Sequence, residues 1–290
     1  MTISKKNLTV IIVSFKSNYV IHKCLSTINQ DIKVIVVDNA NDKTLKKELE
    51  AKYDNVDCIL SSQNLGMGAG NNLGIKNVLT DYALILNPDV FLYQHTIDEL
   101  LKASEKIKDF SIISPISNKI NNPNYTLFKN QNFDNQLPFE VISVDGFAML
   151  FNLKKLKKLE GFNFFDENIF LYLENDDICK ELRKRNQKIY VVPSSKVDHG
   201  GGFSVDPIFK YEIELSRNWH WMWSKFYFNK KHYGYFFAVK KTSKNLLSSF
   251  CKYLFYLFTF NRDKRNVYWM RLCGLIASMK GKKSYYRPNF

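Results

Sequence analysis

The sequence predicts an α/β fold, a mostly parallel sheet flanked by helices, followed by a helical extension rich in basic and aromatic residues. Three observations carry this. Short β-branched runs alternate with helix-spaced segments through the first half of the chain. Those runs are predominantly apolar rather than alternating, the pattern of strands buried on both faces. The charge is also divided: residues 1–209 hold 25 Lys/Arg and 25 Asp/Glu, residues 210–290 hold 17 and 3, so the whole net charge of +14 lies beyond residue 209.

Residues 8–13 (LTVIIV) form the first strand, after which Val20, Ile21, Cys24, Leu25 and Ile28 recur at helical spacing. Residues 32–37 (IKVIVV) are the second strand and 44–52 the second helix. Residues 56–60 are the third strand, 68–79 a third helix opened by Gly and Asn, and 82–86 (YALIL) the fourth strand. The repeated β-α order makes the fold Rossmann-like. Residues 118–136, rich in Asn and poor in aliphatics, read as a loop. Residues 141–151 resume as a strand with Asp145-Gly146 inside it, 174–185 form a charged helix, and 188–192 a closing strand that stops at Pro193. The boundary falls near Asp206-Pro207, giving a main domain over 1–207 and an extension over 208–290.

Composition excludes several classes. No run reaches the ~18–20 apolar residues of a spanning helix; the best candidate, 246–260, is short and carries Lys252. Residues 1–7 are polar and lack the apolar core of a signal peptide, so a cytoplasmic location is expected. The cysteines (Cys24, Cys58, Cys179, Cys251 and Cys273) are odd in number, scattered and without a CxxC pair. That pattern suits thiols in a reducing compartment rather than a zinc site or disulfide framework.

Ligands of open α/β sheets bind at the carboxyl ends of the strands. Those ends carry Ser14, Asp38-Asn39, Ser61 to Asn64, and Asn87-Pro88-Asp89. Each alone is ordinary turn chemistry; together they line one edge with polar groups. Asn64 to Gly74 (NLGMGAGNNLG) lets backbone amides approach an anion at a helix N-terminus, and lacks the Lys-Ser/Thr ending of a Walker loop. Asp89, at the end of an apolar strand, suits Mg²⁺ or Mn²⁺ that also touches a diphosphate. His199, before three glycines, could add an imidazole. Glu174-Asn175-Asp176-Asp177 places three carboxylates in four residues at a helix start, more than the helix dipole requires, and a general base is the functional alternative.

The strings LTVIIVSFKS, VIVVDNA, NLGMGAGNNLG, LILNPDV, VDGFAMLF, FDENIFLYLENDDICKELR and VVPSSKVDHGGG resemble, in order and spacing, the family 2 glycosyltransferases, and more narrowly their bacterial rhamnosyltransferase-like branch. The resemblance covers residues 8 to about 204, about two thirds of the chain. It implies a GT-A fold and an inverting, metal-dependent transfer from a nucleotide-diphosphate sugar, with dTDP-rhamnose as the donor the branch favours. By the same resemblance Asp38 and Asn39 match the nucleotide-binding strand end, and Asn64, Gly66 and Asn71 the donor loop. Asn87 and Asp89 match the metal motif, with Asn in place of its first Asp, and His199 the late histidine near metal and diphosphate. The family pattern Glu-Asp-x-Asp puts the base where this chain has Asn175, whose amide cannot accept a proton at neutral pH. The expected base is therefore Asp176, with Glu174 as the alternative.

The extension pairs Trp219, Trp221, Trp223 and Phe226 to Phe228 with Lys225, Lys230 and Lys231, and later aromatics with Arg262, Lys264 and Arg265. Two readings stand: peripheral attachment to an anionic membrane surface, where a lipid-linked saccharide acceptor would be found, or a helical packing element that supports a homo-oligomer. Nucleic acid is not expected, because no binding motif accompanies the charge. The competing functions are a nucleotidyltransferase, whose Gly-rich loop with Arg or Lys after the first strand is missing, and a non-catalytic scaffold that has lost its base.

Overall fold

A computed structural model of the chain describes residues 5–118, 122–202 and 204–288. The chain divides into two compact units. The first comprises the chain up to Leu65, Ala69–Phe165 and Asn175–Asp206; the second comprises Gly66–Gly68, Asp166–Glu174 and the chain from Pro207 onward.

The first half follows the β-α order. β1 (Leu8–Ser14), β2 (Lys33–Asp38), β3 (Val56–Leu60) and β4 (Tyr82–Leu86) alternate with α1 (Asn18–Ser26), α2 (Lys43–Lys52) and α3 (Gly66–Lys76). The strands run parallel in the order β3-β2-β1-β4. All seven residues of β1 are buried, the burial its unbroken apolar run requires. Asp42 caps α2 by accepting from the amides of Thr44 and Leu45, which explains the sharp start of that helix. α3 lies close against β1: a Cβ on Gly74 would stand 2.5 Å from Ile11 Cγ2.

Beyond β4 the order changes. β5 (Val90–Leu92), α4 (Thr96–Lys106), β6 (Ile112–Ser117), β7 (Tyr125–Thr126), β8 (Phe139–Glu140), β9 (Ser143–Val144) and β10 (Ala148–Asn152) come next. They are followed by α5 (Leu153–Leu156), α6 (Glu174–Lys184) and β11 (Ile189–His199). β10 inserts antiparallel between β4 and β6, and β11 runs parallel to β6 and antiparallel to β5 and β8. The sheet is thus mixed, with its parallel half nearest the N-terminus.

Two expected strands differ. The run over 141–151 is broken: β9 stops at Val144 and pairs with β7, and β10 begins at Ala148. The intervening Asp145-Gly146-Phe147 leaves the ladder. The closing strand does not stop at Pro193 but continues to His199, because a register shift between Val192 and Lys196 absorbs the proline's missing N–H. α4 and β6 were not expected at all. Pro115 disguises β6, yet the ladder to β10 involves only Ile112 and Ile113, so the proline costs no bond there. Of the expected loop over 118–136, residues 119–121 lie outside the described residues, as do 1–4 of the polar start.

In the second unit three helices pack together: α7 (Lys210–Tyr233), α8 (Tyr235–Phe258) and α9 (Arg262–Met279). Trp219, Trp223 and Phe226, spaced four and three residues apart, are buried on one side of α7. α9 approaches α7 at Gly274, where a Cβ would overlap the Trp219 carbonyl oxygen and stand 2.9 Å from its carbon. Among the described residues no helix is long and apolar enough to cross a membrane.

Candidate active site

The carboxyl ends of β1, β2 and β4 carry the polar groups expected there. Asp38 ends β2 fully buried, with both oxygens engaged: Ser14 Oγ donates to Oδ1 at 2.9 Å and the Asp42 amide to Oδ2 at 2.7 Å. Asp38 thereby ties β1 to the loop that starts α2. Asn39 is fixed next to it, its amide donating to Ser14 O at 2.9 Å and its Oδ1 accepting from Ser61 Oγ at 3.1 Å. Asn64 lies in the turn between β3 and α3, half-buried. On α3, Asn72 is consumed structurally by both backbone polar groups of Phe165, whereas Asn71 Oδ1 is buried with no hydrogen-bond partner among the described residues.

Asn87 and Asp89 flank Pro88 where β4 ends. Asn87 Oδ1 is also buried without a hydrogen-bond partner among the described residues. The Asp89 side chain is 3% exposed, and its Oδ1 stands 3.8 Å from His199 Nε2. Two features hold the imidazole there: His199 pairs with Val90 in the β11/β5 ladder, and its ring stacks on Phe147 with centroids 4.2 Å apart. The Gly200 amide donates to Asp89 O at 3.4 Å.

These residues fit a divalent cation. A carboxylate and an imidazole face each other, and a buried orphaned acceptor lies two residues from the carboxylate; such an atom calls for an unseen partner. Among the described residues no three His, Cys, Asp or Glu side chains converge. An ion held by two side chains would take its remaining ligands from substrate phosphates and water.

The third element is the start of α6 against the segment over 143–146. Asn175 Nδ2 donates to Val144 O at 2.9 Å, and its Cβ lies so near Gly146 that a side chain there would come within 3.2 Å of it. Asn175 is therefore a structural clamp. A carboxylate in its place would set oxygen against oxygen. Asp176 is held by a hydrogen bond from Ser143, and burial raises its pKa above the ordinary value, with Asp177 adding to the rise. Asp145 is raised too, by burial first and by the charge of Asp176 second. The two carboxylates feel one another. Asp145 was legible only as part of a strand, and its place beside Asp176 follows from the break between β9 and β10.

Gly66 and Glu174 belong to the second unit. Gly66 has φ +80° and meets the Phe170 backbone: a Cβ would overlap Phe170 O and stand 2.9 Å from its carbon, while the Met67 amide donates to that oxygen at 2.9 Å. Glu174 opens α6 directly after Tyr172 and Leu173, which hold φ of 69° and 67°. Two successive non-glycine residues in the left-handed region store strain of about 1–3 kcal/mol each, a device that clusters at functional sites. α7 braces this segment. Ser224 Oγ donates to Leu171 O at 2.8 Å, Phe170 stacks on His220 at 4.4 Å, and Tyr227 and Lys231 both bond Asp166 Oδ2. Of these α7 residues, Tyr227 and Lys231 entered the sequence reading only within the aromatic and basic group offered for membrane attachment or packing, and Ser224 and His220 not at all; Trp219, Trp223 and Phe226 of the same group are buried in the helical packing.

A sequence model of glycosyl transferase family 2 matches residues 9–172, more than half of the chain. The low-salt glycan biosynthesis hexosyltransferase Agl10 of Haloferax volcanii is 28% identical over 201 residues, 63% of this chain and 64% of that protein. The chain thus spans less than two thirds of that relative. The rhamnosyltransferase WbbL of Escherichia coli K12 is 28% identical over 223 residues, covering 66% of this chain and 82% of that protein. Among solved structures, the mannosyltransferase PcManGT of Pyrobaculum calidifontis, in complex with GDP-Man and Mn²⁺, aligns with a TM-score of 0.56 at 12% identity, over 96% of this chain and 88% of that one. GalNAc-T7 with UDP, GalNAc and Mn²⁺ gives 0.55 at 12% identity, over 83% and 57%. At such identities the structures speak for the fold alone. On the family match, the strand order and these structural likenesses, the chain belongs to glycosyl transferase family 2 and has a GT-A fold.

Proposed function

We propose that this chain is an inverting glycosyltransferase. It moves a sugar from a nucleotide-diphosphate donor to a hydroxyl of a saccharide acceptor that is lipid-linked, in cell-surface polysaccharide synthesis at the inner face of the membrane. The observation that carries the reading is the Asp89–His199 pair at the end of β4, with its 3.8 Å separation and the orphaned Asn87 acceptor nearby. The names of the relatives, one a hexosyltransferase and one a rhamnosyltransferase, support a hexosyl donor and make dTDP-rhamnose the first to try.

Asp89 and His199 would hold Mg²⁺ or Mn²⁺. Such an ion neutralises charge on a departing diphosphate. Ser14, Asp38 and Asn39 shape the nucleotide end by fixing the loop between β2 and α2. Asn64, Gly66 and Asn71 lie in the Gly/Asn-rich stretch of sequence assigned to the diphosphate. Asp176 takes the proton from the acceptor hydroxyl as that oxygen attacks the anomeric carbon, so one displacement inverts it. Burial raises the Asp176 pKa, which makes its carboxylate a stronger base than that of an exposed aspartate. Asn175, committed to Val144, cannot serve. Release of nucleoside diphosphate from a panel of nucleotide sugars, with and without Mn²⁺, tests the reading. Metal-dependent release from one donor is expected; no release from any donor by folded protein would refute it and favour the scaffold alternative.

A further inference from the structure

The basic extension holds more aromatics than its own packing consumes, and the surplus is concentrated on one helix. In α7, Trp219, Trp223 and Phe226 are buried. In α8 the buried residues are small, Ala238, Thr242 and Ser249. The opposite face carries Phe236, Leu247 and Phe258, which are 88%, 65% and 75% exposed. Their spacing of eleven residues is close to three helical turns, so they fall on one line along the helix. Phe250, half exposed, lies beside that line, and Lys240 and Lys244 occupy its gap between Phe236 and Leu247. α8 contains no Asp or Glu.

A soluble surface does not normally align large exposed apolar side chains along one face of a helix. The charge pattern decides what covers it. Two α8 stripes laid together would bury the lysines of both helices with no α8 acid to pair them. An anionic lipid surface answers both features: acyl chains take the phenylalanines and leucine, and headgroup phosphates take the lysines, whose stems reach outward along the apolar face. We infer that α8 is an interfacial helix that lies in the headgroup layer of an anionic membrane through Phe236, Leu247 and Phe258, with Lys240 and Lys244 as its phosphate contacts. The inference deepens the lipid-linked-acceptor reading above and rests on it for its purpose, although the binding itself can be measured separately. Because α8 is not apolar enough to span, attachment is peripheral and reversible.

The test is co-sedimentation of the full chain with vesicles of phosphatidylserine and phosphatidylcholine, or of phosphatidylcholine alone. The proposal expects binding to the anionic vesicles, at least tenfold weaker binding to neutral ones, and release by high salt. F236S/L247S/F258S should lose at least tenfold in binding to anionic vesicles, and K240E/K244E should do the same. All five positions are exposed, so the melting temperature should hold in both variants. Donor cleavage in solution, measured in parallel, should be unchanged, since none of these residues belongs to the site; if wild-type protein cleaves no donor yet still binds vesicles through α8, the glycosyltransferase reading fails and this one stands. Wild-type protein that ignores anionic vesicles, or a triple serine variant that binds as tightly as wild type, overturns the proposal. So does concentration-dependent dimerisation abolished by the triple variant, which would assign the stripe to a second copy.

Discussion

Three glycines separate two costs that are usually confounded. Gly281 has φ +70° and nothing lies within 4 Å of where a Cβ would stand, so Gly281→Ala carries only the penalty of a left-handed alanine, about 1 kcal/mol. Gly274 lies inside α9, where alanine is favoured by about 1 kcal/mol, but its Cβ would overlap the Trp219 backbone, which cannot rotate away. Overpacking of this kind costs about 1–3 kcal/mol and more against backbone, so Gly274→Ala should lose about 2 kcal/mol net. Gly66→Ala carries both costs, the positive φ and overlap with the Phe170 carbonyl, for about 3 kcal/mol. At about 2–4 °C per kcal/mol for a chain of this size, the melting temperature should fall least for Gly281→Ala and most for Gly66→Ala, by about 6–12 °C. Gly66→Ala should also raise the KM for donor if the segment over 64–74 receives the diphosphate as proposed, while Gly274→Ala should not. Equal melting shifts for Gly66→Ala and Gly281→Ala would show that the approach of Phe170 to Gly66 contributes nothing and would refute the reasoning.

Four further outcomes are expected. Asp89→Ala should abolish donor cleavage and its metal response while the melting curve stays cooperative; turnover close to wild type would remove Asp89 from the metal site. Asp176→Asn should lower kcat by about 10²–10⁴-fold with little change in donor affinity, because a base acts in the transition state; if only Glu174→Gln is inactive, the base has been misassigned. Asp145→Asn should raise the melting temperature at neutral pH. Its folded pKa is raised, so its stabilising contribution exists below the unfolded value and is lost as pH rises, and an amide escapes that loss. His220 runs the other way. Burial, with the charge of Arg287, pushes its pKa down to about 3, so stability is complete above about 6.5 and falls as pH drops toward 3. A melting-temperature profile for His220→Gln should be flatter over that window than for wild type.

Much of the fold was legible because the first four strands are short, predominantly apolar runs that alternate with helix-spaced segments. Legibility failed where strands owe their place to partners rather than to their own pattern. β6 hides behind Pro115, and β11 crosses Pro193 because a register shift makes room for it. The strand-end residues Ser14, Asp38, Asn39, Asn87 and Asp89 could be found by position alone. The role of Asn175 could not, because its meaning depends on a single bond to Val144 beside a break in the sheet that the strand-like run over 141–151 conceals. The sequence did not tell packed aromatics from surplus ones: Trp219, Trp223 and Phe226 are buried, and Phe236 and Phe258 became distinguishable from them once the small buried face of α8 was placed.

The central claim is a nucleotide-sugar site built on Asp89 at the end of β4. Calorimetric titration of UDP, GDP and dTDP into the full chain, in Mn²⁺ and in chelator, tests it most directly. One nucleoside diphosphate should bind in Mn²⁺, bind at least tenfold more weakly in chelator, and show no metal dependence in Asp89→Ala. Binding that is indifferent to chelator and to Asp89→Ala, or no binding of any of the three, would contradict the account.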